Sequence, residues 1–82
     1  MSKSDKIPNE LKKIGARLRQ IRKGLGFTNS DIFANHYGID RAQYGKYETG
    51  SQDLRISSLV KVLDKIKFSL SDFFNEDYDA LK

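Results

Sequence analysis

Residues 30–49 read SDIFANHYGIDRAQYGKYET. Ala34 and Gly38 stand four apart, at the close of one short helical stretch. Gly38 suits the left-handed conformation that a tight turn demands, and Ala34 offers a second helix a close approach. Phe33, Tyr37, Ile39, Tyr44 and Tyr47 fall where two steeply crossing helices bury side chains. The pattern therefore predicts helix, turn, helix. What remains on the second helix is one exposed face made of Arg41, Ala42, Gly45, Lys46 and Thr49. A solvated face normally carries Glu, Lys or Gln. Here a mid-helix Gly45 costs about 1 kcal/mol against Ala, and Arg41 in the first turn opposes the helix dipole by roughly 0.3–1 kcal/mol. Two long cations flanking two nearly bare positions suit a helix that must lie close against an anionic surface.

Upstream, Leu11, Ile14, Leu18, Ile21 and Leu25 recur at helical spacing, with Lys12, Lys13, Arg17, Arg19, Arg22 and Lys23 on the other faces. Two heptads are too few for a coiled coil, so the stripe reads as core. Gly24 and Gly26 end that helix. Three further helix starts carry a capping pair: Thr28 with Asp31, Asp40 with Gln43, Ser69 with Asp72. Each is bracketed by an apolar pair at staple spacing, namely Phe27 with Ile32, Ile39 with Tyr44, and Phe68 with Phe73. Between them, Ile56, Leu59, Val60, Leu63 and Ile66 form another helical stripe. No segment alternates with period two. The expected fold is all-α, with five helices at about 9–24, 29–37, 41–49, 55–66 and 70–75. Residues 1–8 read as a flexible lead, 9–74 as the domain, and 75–82 as an acidic tail.

The composition narrows the function. Eighty-two residues with 38% hydrophobic side chains supply one small core. Cysteine is absent, which excludes disulfides and thiolate metal sites. The single histidine, His36, has no partner at metal spacing and reads as an exposed helix residue. Paired catalytic groups and a Gly-rich phosphate loop are also missing, so neither an enzyme nor a bound cofactor is expected. The longest apolar run is three residues, Ile32–Ala34, which points away from a membrane span and toward a cytoplasmic protein. The net charge of +4 is unevenly spread. Residues 1–25 hold eight Lys/Arg against two Asp/Glu, whereas residues 26–50 and 51–82 each net −1. A basic end of this kind is compatible with nucleic acid.

Over Leu11–Phe74 the chain resembles the lambda repressor–Cro-like helix-turn-helix proteins, also called the XRE type. The resemblance rests on IRKGLGFT before residues 30–49, on those residues, on the KYETG that closes them, and on SSLVKVLDKIKFSLSDFF after them. It implies a lambda-repressor-like DNA-binding domain in which 30–37 is the supporting helix and 41–49 the recognition helix. It further implies a structural ion pair between Arg22 and Glu48, and a sequence-specific, double-stranded DNA-binding regulator of transcription, with repression by occlusion the simplest mode.

On that reading the recognition helix enters the major groove. Arg41 pairs with guanine O6 and N7, Ala42 meets a thymine methyl, Gln43 reads adenine or touches the backbone, and Lys46 reaches a base or a phosphate. Thr28, Asn29 and Ser30 offer phosphate donors, with capping an equal role for Thr28. Either Asn29 or Ser30 can hold the position where the family often has a DNA-contacting Gln, because one extra residue lies between Gly26 and Ala34. Arg17 and Arg19 add non-specific attraction. After Gly50 the family tends to have basic residues and a Pro-Ser helix start. This chain has Ser51, Gln52, Asp53, Leu54 and Arg55, which leaves phosphate clamping to Arg55 and backbone N–H groups. Tyr37, Tyr44 and Tyr47 read as packing and not as base-stacking platforms. Leu70 and Phe74 are the expected homodimer contact. Two competing readings keep the fold: an antitoxin that docks a toxin chain through its acidic tail, and a helix-turn-helix used only for protein–protein contact, to which Asp53 points.

Overall fold

A computed structural model describes residues 9–51 and 54–81 and is all-α among them. The helices are α1 (Asn9–Gly24), α2 (Ser30–His36), α3 (Arg41–Thr49), α4 (Ile56–Lys65), α5 (Leu70–Phe73) and α6 (Glu76–Ala80). Residues 1–8, expected as a lead, and Gln52 and Asp53, expected in the phosphate-facing loop, lie outside the described residues.

Leu18 and Ile21 of α1, Phe33 and Ala34 of α2, and Tyr44 and Tyr47 of α3 form one core with Leu59, Val62, Leu63, Ile66, Phe73 and Tyr78. Burying a Leu-, Ile- or Phe-sized side chain stabilises by about 1.5–3 kcal/mol, so this cluster is the main source of cohesion. Two members of the expected stripes are exposed instead. Leu25 lies past the end of α1 and is exposed, and Ile56 opens α4 at 60% exposure while Val62 takes the buried position.

The turn between α2 and α3 closes tightly. Gly38 has φ 70, and the Ile39 amide donates to the Ala34 carbonyl at 2.7 Å. Asp40 then caps α3 by accepting from the Gln43 amide at 2.9 Å. At the other end Gly50 also has φ 70, and a Cβ there would stand 2.9 Å from the Lys12 Cα. Gly15 is tighter still, since its Cβ would come within 2.2 Å of the Glu48 carbonyl oxygen. The two glycines thus let α1 and α3 pack backbone to backbone, and these helices form the largest helix–helix contact among the described residues.

Three sequence expectations are corrected. Asn29, not Thr28, caps α2, accepting from the Ile32 amide at 3.0 Å. The staple of Phe27 with Ile32 does not form: Ile32 is 62% exposed, and Phe27 packs edge-on to Phe33 at 5.4 Å instead. Ser69 does cap α5, by accepting from the Asp72 amide at 2.9 Å, but among the described residues the helices number six, not five. Residues expected as an acidic tail form α6, capped by Asn75, which accepts from the Asp77 amide at 2.9 Å. Its Tyr78 is buried, hydrogen-bonds Glu10, and lies 4.5 Å from the Lys13 ammonium. Burial first, and the Glu10 carboxylate second, push the Tyr78 hydroxyl well above the ordinary tyrosine range. Tyr78, set among Glu76, Asp77 and Asp79, together with Leu81 packs this segment back on the core.

Candidate nucleic-acid interface

α3 has two faces with opposite construction. On the inner face Tyr44, Tyr47 and Glu48 are buried. The Arg22 guanidinium of α1 grips the Glu48 carboxylate in a fork, Nε to Oε2 at 2.7 Å and Nη2 to Oε1 at 3.1 Å, and its Nη1 donates to the Phe27 carbonyl at 3.0 Å. The carboxylate raises the Arg22 pKa against the opposing effect of burial. Arg19 stands farther off, Nε 3.9 Å from Glu48 Oε1 with its side chain half exposed. Tyr44 is fully buried, and its hydroxyl finds no hydrogen-bond partner among the described residues. Burial, then the Glu48 carboxylate, drive that hydroxyl's pKa up. One charged fork therefore ties the start of the α1–α2 connection to the end of α3.

The outer face carries none of these ties. Arg41, Ala42, Lys46 and Thr49 are exposed, and a Cβ on Gly45 would meet nothing within 4 Å. The Thr49 hydroxyl donates to the Lys46 carbonyl at 3.2 Å, which leaves the end of the helix flush. Gln43 sits at the edge between the faces, half-buried, with its amide Nε2 donating to the Tyr47 hydroxyl at 3.0 Å.

The remaining candidates fall into two groups. Thr28 and Asn29 are exposed and Ser30 is half-buried at the start of α2. Asn29 spends its carbonyl oxygen on the cap, so Ser30 is the first helical residue. Arg55 occupies the N-cap of α4, exposed and without a side-chain bond to the helix. Arg17 has to be withdrawn from the surface cations: it is 4% exposed. Its Nε donates to the Phe73 carbonyl at 2.9 Å and its Nη2 to the Asp72 carbonyl at 2.8 Å and Asn75 Oδ1 at 3.2 Å. A guanidinium in that place satisfies the carbonyls at the end of α5, where helices leave such groups without intrahelical partners. Leu70 and Phe74 are both partly exposed, and Phe74 packs edge-on against Phe73 and Tyr78, each at 4.8 Å.

Sequence reasoning missed Gly15, Gly50 and the Gln43–Tyr47 bond. A glycine inside a helix was a usable signal, and it was read at Gly45 but not at Gly15.

No family model matches the chain. Control protein C.MunI from Mycoplasma sp is 26% identical over 69 residues, which is 83% of this chain and 93% of that protein. The crystal structure of the restriction-modification controller protein C.AhdI from Aeromonas hydrophila superposes with a TM-score of 0.69 at 25% identity. It covers 82% of this chain and 100% of that one. Among the described residues no helix is long and apolar enough to cross a membrane.

Proposed function

We propose that this chain is a member of the lambda repressor–Cro-like helix-turn-helix proteins and a sequence-specific DNA-binding regulator of transcription that governs restriction–modification genes. Its likeness to a protein named as a control protein and to one named as a restriction-modification controller protein supports this reading. The observation that carries this reading is the outer face of α3. Arg41 and Lys46 are exposed there with no side-chain bond among the described residues, and Gly45 leaves open space between them. The inner face, by contrast, is held by a buried bidentate fork. A helix so fixed presents its outer face in one orientation, and base discrimination requires contacting side chains held on a rigid support.

In this reading α3 lies in the major groove. Arg41 pairs bidentately with guanine, Ala42 meets a thymine methyl and Lys46 takes a base or phosphate beyond. Thr28, Ser30, the donor end of Asn29 and Arg55 hold the flanking phosphates. Arg19 contributes salt-sensitive attraction. The protein binds and does no chemistry, works in the cytoplasm, and represses by occupying its site. A second copy joins through Leu70 and Phe74 and doubles the short sequence one α3 can read.

Selection from a randomised duplex library at fixed salt tests this, with Arg41→Ala beside the wild type. Two inverted half-sites about 10–10.5 bp apart are expected. The variant should keep the other positions and lose one guanine preference, at a cost of about 1–3 kcal/mol. A wild type that enriches no sequence sinks the reading.

A further inference from the structure

Gln43, which the sequence assigns to adenine or the DNA backbone, has its side chain already held by the protein. Its backbone amide is fixed by Asp40 Oδ1 at 2.9 Å, and its side-chain Nε2 donates to the Tyr47 hydroxyl at 3.0 Å, one turn along the same helix. The Tyr47 ring is buried in the core, so the hydroxyl is anchored from below. Its neighbour Tyr44 is still more deeply buried, but its hydroxyl has no partner among the described residues, which makes the bonded hydroxyl of Tyr47 a distinct feature and not a general property of tyrosines on this face.

Gln43 also has somewhere else to go. It lines an open depression of about 170 Å³ between α3 and α4, together with Gly38, Ile39, Tyr47, Ser58, Val62 and Lys65. A glutamine side chain loses substantial rotamer freedom when it is fixed. With open space at its flank, one hydrogen bond decides which way it points.

We infer that Tyr47 is a positioning residue for DNA reading, whose hydroxyl holds the Gln43 amide in the orientation that selects adenine. The inference rests on the proposed major-groove reading. The amide has the right number of groups: one Nε2 hydrogen goes to Tyr47, the second donates to adenine N7, and Oε1 accepts from the adenine N6 amine. Tyr47 touches no base. It acts by removing the ordering cost that a free glutamine carries into the complex.

The test is the same randomised-duplex selection, run on the full chain with Tyr47→Phe, Gln43→Met and the double variant, each with a thermal melt. Tyr47→Phe removes the hydroxyl and keeps the ring in the core. The expected result is a preference for adenine at one base of the wild-type site that falls roughly tenfold in Tyr47→Phe, within the range that a bidentate contact supplies. Other positions stay unchanged, Gln43→Met loses the same base, and the double variant loses no more than Gln43→Met. If Gln43→Met loses the adenine and Tyr47→Phe keeps it, Gln43 reads the base unaided and the inference falls. It falls equally if Tyr47→Phe weakens every position together with a lowered melt, because that is a packing effect. A wild type that selects nothing overturns the DNA-reading proposal itself, and this inference with it.

Discussion

Gly15 in α1 and Gly45 in α3 are both helix-interior glycines, and each costs its helix about 1 kcal/mol relative to alanine. They face opposite kinds of space. A Cβ on Gly15 would run into the Glu48 and Tyr47 carbonyls, at 2.2 and 2.6 Å, whereas a Cβ on Gly45 would meet nothing. The first glycine is explained inside the molecule, by the backbone contact of α1 with α3. The second has no internal explanation, and its cost makes sense only through something outside. The same division runs through the rest of α3, where the inner face is buried or bonded, whereas among the described residues the exposed Arg41, Ala42 and Lys46 side chains of the outer face bond nothing.

The strongest way to break that division is at the inner face. Arg22→Ala leaves the Glu48 carboxylate buried, with the distant Arg19 as its one cationic neighbour among the described residues. A loss of about 3–5 kcal/mol is expected in chemical denaturation. If the pair mattered only as a link, replacing both partners by well-packed apolar residues (Arg22→Met with Glu48→Leu) should recover most of the stability. A single variant that unfolds no more easily than the wild type would show that the fork does not hold α3.

Gly15→Ala comes next. The clashing atoms belong to backbone, which cannot rotate away as a side chain can. The α1–α3 contact must open, at a cost in the overpacking range of about 1–3 kcal/mol and toward its upper end. Denaturation midpoints against the wild type measure it. An unchanged or raised midpoint would place α1 farther from α3 than the structure has it.

The parts of this molecule that were legible in its sequence are those whose cause is local. The apolar periodicity around Leu18 and Ile21 and around Leu59 and Leu63 is a property of one helix, as are the caps at Asp40 and Ser69, so these elements could be placed from spacing alone. The Thr28 cap went wrong by one residue because Asn29 next to it is an equally good cap, and only the path of the chain chooses between them. Arg17 was misread for a different reason. Its partners Asp72, Phe73 and Asn75 lie more than fifty residues away, and nothing near Arg17 distinguishes a carbonyl-gathering guanidinium from a solvated one. Gly15 and Tyr78 are of the same kind, each explained by an element that packs from elsewhere in the chain. At the candidate site the outer face of α3 was readable because it needs no tertiary partner, whereas the bond from Gln43 to Tyr47 depends on side-chain directions that spacing permits but does not require.

Gly45→Ala is the smallest perturbation and the one that sharpens the comparison most. With open space around the new methyl, the free protein should gain about 1 kcal/mol from helix propensity. For a domain of this size that is a rise of roughly 4–8 °C in Tm. DNA binding should move the other way. If α3 lies against the groove with Gly45 at the contact, an added methyl there is overpacking, and affinity falls by about tenfold, the low end of what such a group costs in a close-packed contact. Stability and binding would then change with opposite sign in one substitution, an outcome that neither a folding role nor an idle surface position can produce. A rise in Tm with unchanged affinity would mean that the outer vacancy has no partner at that point, and the major-groove contact would have to be centred elsewhere on α3, nearer Arg41. A fall in Tm would contradict the open space itself and return Gly45 to the same category as Gly15.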